Sequence, residues 1–243
     1  MFEPKRIAKF AFLVLVFYTL LTWPWSGWDV TYGSWFRAGG DAVFNRFWLW
    51  PQASVKFVNL RSPTLFADID AVTPGTLPPK FKPPEPEDVV QDTLMVLMNA
   101  DVPASIGMLR TSSRPIGFWP TAVFLSLLLA TPIRWWRKLM ALPFGLILVH
   151  GFVAFRVTVL LLKGGFADPA KKYALFHPTA FWQDVWRRAS EVFADNPTFA
   201  YVVPVFIWLA TVFAVHLVGR GRQGDAAAIP GQTPGRPNPA PGD

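Results

Sequence analysis

Few side chains in this 243-residue chain are equipped for chemistry, and their spacing is as informative as their type. There is no cysteine, which removes disulfides, thiolate metal sites and a thiol nucleophile together. The three histidines, His150, His177 and His216, lie scattered over two apolar runs and a loop. They read as singly packed or hydrogen-bonded rings rather than as ligands or bases. Asp68 and Asp70 in ADIDAV imitate the start of a calcium loop, but the glycine and later glutamate are missing at the required spacing. Two exposed carboxylates alternating on a strand are the expected reading. No phosphate-cradling glycine loop, HExxH or GxSxG stretch occurs, so no metal and no cofactor are expected.

That leaves Arg156, a charge inside the apolar run LMALPFGLILVHGFVAFRVTVLLLK. It lies six residues from the run's end, about 9 Å deep at 1.5 Å rise per residue. A charge at a bilayer centre costs about 2.5–3.5 kcal/mol, and less near the edge. Two readings stay open. Either the side chain snorkels to the headgroups, or it holds an anion or a partner at the mouth of a helical bundle. No carboxylate lies within the apolar runs to pair with it, so a carbonyl, a water or another protein must serve.

The elements that position Arg156 are membrane spans. A hydrocarbon core about 30 Å thick needs about 20 helical residues, and irregular backbone there would leave peptide groups unsatisfied. The stretch from Arg114 to Lys163 reads as apolar run, basic turn, apolar run, which is a transmembrane hairpin. With 52% hydrophobic and 16% charged residues, 12 Trp and 22 Phe, the chain suits a membrane better than an aqueous domain. The expected fold class is an α-helical membrane protein. It has four transmembrane helices, a small extracytoplasmic α+β or β subdomain and two interfacial amphipathic helices.

In chain order, 1–25 holds a cytoplasmic N-terminus and an uncleaved first span; TWPWSGW offers bulky rings where a signal cleavage site needs small residues. Residues 26–116 form the extracytoplasmic subdomain. Over 30–50, Tyr32, Trp35, Phe36, Val43 and Phe44 fall on one helical stripe, with Arg37 and Asp41 off it, as in a helix lying in the headgroup layer. Over 53–114, SVKFVNL, TLFADIDAV, TLMVLMNA and SIGMLRTS predict four short strands, with LPPKFKPPEPED an extended connector. The second span covers 117–133, the basic cytoplasmic turn 134–138 and the third span 139–162. The loop 163–198 carries an amphipathic helix over 179–194, with Phe181, Trp182 and Trp186 on its apolar face and Asp184 able to pair with Arg188. The fourth span covers 199–218, and the Pro/Gly-rich tail 219–243 is expected to be disordered.

The net charge of +7 is not a nucleic-acid footprint. Residues 23–116 together with 163–199 hold thirteen basic and thirteen acidic side chains. The excess sits beside span ends, at Lys5, Arg6, Arg134, Arg137, Lys138, Arg220 and Arg222, and sets topology. All these residues fall inside if both termini are cytoplasmic. The expected location is a bacterial cytoplasmic (inner) membrane, multi-pass.

A span, a short basic turn and a second span bearing an arginine near its outer end resemble the core of exosortases and archaeosortases. Those are multi-span enzymes that cleave and transfer sorted surface proteins with Cys, Arg and His. The resemblance covers residues 112–163, about a fifth of the chain. It implies that Arg156 is the family's Arg, His177 its His, and Thr111-Ser112-Ser113 the place of its Cys. Serine without an activating base is a weaker nucleophile, so Ser112 and Ser113 depart from the pattern. The stretch GFWPTAVFLSLLLATP also resembles the membrane proteins that accompany exosortases, the exosortase H-associated type, in which no such Cys is required.

The expected function is therefore a non-catalytic accessory protein presenting its extracytoplasmic subdomain to a membrane partner in envelope protein sorting. Arg114, Arg156, Trp35, Phe36, Trp182 and Trp186 are the candidate contact residues. The alternative is a transpeptidase or protease at the outer interface using Arg156, His177 and Ser112 or Ser113. A small transporter component is third, since one internal charge gives little from which to build a pathway. The expected partners are the lipid bilayer and a membrane protein, either an exosortase or a second copy of this chain.

Overall fold

The computed structural model describes residues 3–23, 28–45, 53–72, 91–99, 106–163, 179–194 and 196–227. The connector LPPKFKPPEPED, His177 and the tail beyond Ala227 lie outside them. Two layers meet: a helical bundle and a small sheet with its covering helices.

The bundle contains α1 (Pro4–Thr22), α4 (Trp119–Ala130), α5 (Trp135–Leu161) and α7 (Phe199–Ala227). Ring contacts give their directions. Phe10 stacks on Trp208 at 5.7 Å and Tyr18 meets Tyr201 at 6.5 Å, so α1 and α7 run oppositely. Trp119 at the start of α4 stacks on Tyr201 at 5.8 Å, while Trp208 Nε1 donates to Thr131 Oγ1 at its end. In chain order the helices therefore alternate up and down, with a short connection only between α4 and α5.

Helix α4 is the centre, packed by α1, α5 and α7. Its sequence WPTAVFLSLLLA is apolar all round, the pattern of a helix with no solvent face. Thr121, Ser126 and Thr131 each donate a hydroxyl to the carbonyl four residues back, so their burial leaves no polar atom unpaired. Gly145 of α5 lies against the Phe124 ring, where any Cβ would overlap it. Lys138 Nζ donates to the Leu129 carbonyl at 2.5 Å, capping the carbonyl end of α4.

Two segments, Trp135–Leu161 and Phe199–His216, are long and apolar enough to cross a membrane. Helix α1 carries three basic residues in its first turns, and α4 with its preceding turn is short. The reading of four spans thus reduces to two such segments, with α1 and α4 packed beside them. Helix α5 begins at Trp135, so Trp135 to Lys138 form its first turn rather than a loop; the link is Thr131 to Arg134. Helix α7 continues to Ala227, past the expected end at residue 218.

The sheet is antiparallel in the order β1 (Ala53–Asn59), β2 (Thr93–Asn99) and β3 (Ile106–Thr111). Phe57 faces Met95, and Met95 faces Leu109. One sheet face, with Val55, Phe57, Met95 and Leu97, packs on Val153, Val157 and Leu161 of α5. The other face, with Val58, Leu94 and Val96, is covered by Leu65 and Ile69.

Those last two residues correct the sequence reading. TLFADIDAV forms α3 (Leu65–Val72), not a strand, so the sheet has three strands rather than four. Leu65 and Ile69 stand one helical turn apart, both buried, and Thr64 Oγ1 bonds Asp68 at 3.1 Å in the opening turn. Asp68 and Asp70 consequently lie on a helix.

Helix α2 (Trp28–Phe44) follows the expected interfacial segment, but its stripe divides. Phe36 and Phe44 pack on Phe57, each at 5.9 Å, and Tyr32 packs on Phe118. Trp35 and Val43 face outward, Trp35 at 75% exposure. Asp41, expected on the solvent side, turns to the sheet instead, accepting Phe57 N at 2.8 Å and Lys56 Nζ at 2.5 Å. Anchoring to β1 decides the helix's roll where amphipathicity alone does not.

Candidate functional site

Arg156 is 2% exposed and makes the most consequential contacts in the structure. It does not snorkel. Nε donates to the Phe193 carbonyl at 2.8 Å and Nη2 to the Ala194 carbonyl at 3.4 Å. Nη1 donates to the carbonyls of Pro115 at 2.9 Å and Ile116 at 3.3 Å. Its guanidinium also lies 5.9 Å from the Phe152 ring centroid, in cation–π range.

Both pairs of carbonyls belong to wide π-helical turns, and the sequence explains why they are free to accept. Residues Arg114–Phe118 form the first such turn, whose Trp119 N–H closes back to the Arg114 carbonyl. The Pro115 carbonyl therefore cannot take the Trp119 N–H, and the next residue, Pro120, has none to give. The Ile116 carbonyl, whose α-helical donor would also be residue 120, meets the same gap. Arg156 fills it. The second turn, Ser190–Ala194, continues α6 (Ala180–Ala189), and Phe193 and Ala194 carry its last carbonyls. Such carbonyls lack intrahelical donors and form the negative end of the helix dipole, where a cation is favoured. Phe193 packs edge-on against Phe155 and Phe199, each at 5.2 Å, completing the joint between α5, α6 and α7.

Arg156 and Ser112 line one cleft of about 300 Å³ at the sheet end of the bundle, with Arg110, Trp119, Leu160 and Ala200. Ser113 does not share it. Its backbone N–H donates to Asp92 Oδ1 at 2.8 Å, and its hydroxyl donates to the other carboxylate oxygen. Asp92, just before β2, thus caps the start of the helical segment, an anion where the dipole wants one. Thr93 Oγ1 also donates to Asp92. Burial pushes the Arg37 guanidinium below its ordinary value, and the Asp92 charge opposes that shift. Nearby, burial pushes the Tyr32 phenol up to about 12, against a hydrogen bond with Thr121.

The remaining expected residues separate. Trp182 is half-exposed and stacked on Trp186 at 5.9 Å, with Phe181 69% exposed beside it. Asp184 pairs with Arg187 at 2.9 Å rather than with Arg188, and Arg187 holds the Asp184 carboxyl below its usual range. Trp35 and Phe36 line a different, apolar groove of about 350 Å³ between α2 and α5, with His150 in its wall. Arg114 begins the first π turn. Lys5, Arg6, Arg134, Arg137 and Lys138 gather at the opposite end of the bundle; His216 and Arg137 share a wall there. Arg220 and Arg222 fall on α7.

Sequence reasoning missed Asp92 and Pro120. A lone aspartate before a strand carries no motif, but Pro120 carried a usable signal: a proline inside a buried helix orphans carbonyls that an arginine in a neighbouring apolar run can claim. Comparison of the chain with family models, curated proteins and solved structures returns no match.

Proposed function

We propose that this protein is a non-catalytic, multi-pass component of a bacterial inner membrane. It presents the layer of α2, the sheet and α6 on the outer face to a membrane-protein partner in exosortase-type envelope protein sorting. In this reading α1, α4, α5 and α7 all lie in the bilayer, both termini are cytoplasmic, and the basic end with Arg134, Arg137 and Lys138 faces inward. Exposed Phe12, Leu15, Ile147, Phe206 and Phe213 supply an apolar belt around the bundle, as lipid contact requires.

One observation carries the non-catalytic reading: Arg156 is engaged by four backbone carbonyls, two on each of two helical turns. It acts as a clamp that holds α6 against the bundle and so orients the exposed Phe181 and Trp182. The shared cleft of Ser112 and Arg156 favours the second reading, an enzyme of the outer interface. Among the described residues lining that cleft there is no histidine or carboxylate to activate the serine.

Photo-crosslinkers placed at Trp35 and Trp182 in living cells test the proposal. Both positions should trap the same membrane protein, an exosortase, while one at Phe213 in the apolar belt should not. Absence of any protein adduct at both aromatic positions would refute it, and loss of sorting in a well-folded Ser112→Ala variant would favour the enzyme.

A further inference from the structure

We infer that the cleft beside Arg156 is a binding site for a phosphate-bearing headgroup, supplied by an anionic phospholipid of the outer leaflet. The cleft is lined by polar residues, Gln91, Arg110, Ser112 and Arg156 among them, and by apolar residues that include Trp119 and Leu160. That division matches an amphiphile: headgroup against the donors, chain along the indole and leucine. Among the described residues, no carboxylate lines the cleft and none pairs with Arg156, whose charge is stabilised by carbonyl dipoles alone. An anion entering there gains a buried, prepositioned cation without displacing a counter-charge. The four bonds of Arg156 use at most four of its five N–H groups, leaving one on Nη2 for a ligand. The Ser112 hydroxyl adds a donor from the end of β3.

This site rests on the membrane placement proposed above but needs no protein partner, so the two can fail separately. The full chain, purified in mild detergent, is tested by native mass spectrometry with phosphatidylglycerol, phosphatidylcholine and diacylglycerol of matched chains, and with inorganic phosphate. Phosphatidylglycerol should be retained about tenfold better than the two neutral lipids, the ratio expected for one charge-assisted hydrogen bond. Ser112→Ala should reduce that preference, and Leu160→Trp, which fills the cleft, should abolish retention. Arg134→Gln, at the far end, should leave both unchanged. Equal retention of charged and neutral lipids would overturn the inference, as would an equal loss in Arg134→Gln. Inorganic phosphate that binds as tightly as the lipid would reassign the cleft to a free anion and overturn the lipid source.

Discussion

Replacing Arg156 by methionine should be among the most damaging single changes in the bundle, and the reason can be isolated with one further substitution. Methionine fills similar space but donates nothing. The Phe193, Ala194 and Pro115 carbonyls are partly exposed and can rehydrate, whereas that of Ile116 is buried just before α4. One buried carbonyl left unpaired costs about 1–3 kcal/mol, and losing the charge-assisted bonds to the other three adds to it, so a loss of about 3–5 kcal/mol is expected. Lysine keeps the charge but is a single point donor unable to fork across two turns, and should lose about 2–3 kcal/mol. The informative variant is Pro120→Ala, which returns an N–H to the start of α4 and gives one of those carbonyls an intrahelical donor. In that background Arg156→Met should cost about 1 kcal/mol less, a coupling measurable by a double-mutant cycle. Unfolding in mixed micelles followed by Trp fluorescence is the assay. A cost below about 1 kcal/mol for Arg156→Met, or strict additivity with Pro120→Ala, would refute the clamp.

Three further outcomes follow from the same packing. Gly145→Ala should destabilise by at least about 1–3 kcal/mol in the same unfolding assay, because its Cβ overlaps the fully buried Phe124 ring; a neutral result would show that α4 and α5 can part freely. Asp92→Asn removes the anionic cap on Ser113 and should cost about 1–2 kcal/mol, with Asp92→Ala costing more. Tyr32 has its folded pKa raised from 10.0 to about 12, so the folded state retains the proton longer than the unfolded state. Its stabilising share is intact below pH 10 and is lost as pH rises from 10 to 12, a decline of roughly 2–3 kcal/mol. Tyr32→Phe should remove that part of the alkaline decline; an unchanged profile would contradict the burial of the phenol.

How far the sequence led depended on which force set each element. Hydropathy located the four bundle helices within a few residues, apart from the far end of α7, because apolar length and flanking charge are written locally. Strands β1, β2 and β3 were equally legible as short β-branched and Met/Leu runs. TLFADIDAV was misread because eight residues fit both periods, and only the Leu65–Ile69 pairing against the sheet separates them. Asp41 was placed on the solvent side, and Asp92 went unnoticed, for another reason: each satisfies backbone groups on a distant element, across 16 and 21 residues respectively, and such pairing leaves no local pattern. Arg156 was singled out by its cost in an apolar run, and a carbonyl partner was among the expectations. Which carbonyls became predictable only once Pro120 was seen to withhold an N–H beside them. Its two sequence partners parted company, Ser112 joining it in the cleft and Ser113 serving the helix cap.

The central claim is that this chain works by holding a membrane partner rather than by catalysis. Its most direct test is the mass of the particle extracted from native membranes in mild detergent. The account predicts a stoichiometric complex with one membrane protein, which dissociates when Phe181 and Trp182 are both changed to aspartate while the chain itself remains folded. A particle of 27.2 kDa protein mass in every gentle detergent, with no second subunit, would contradict it.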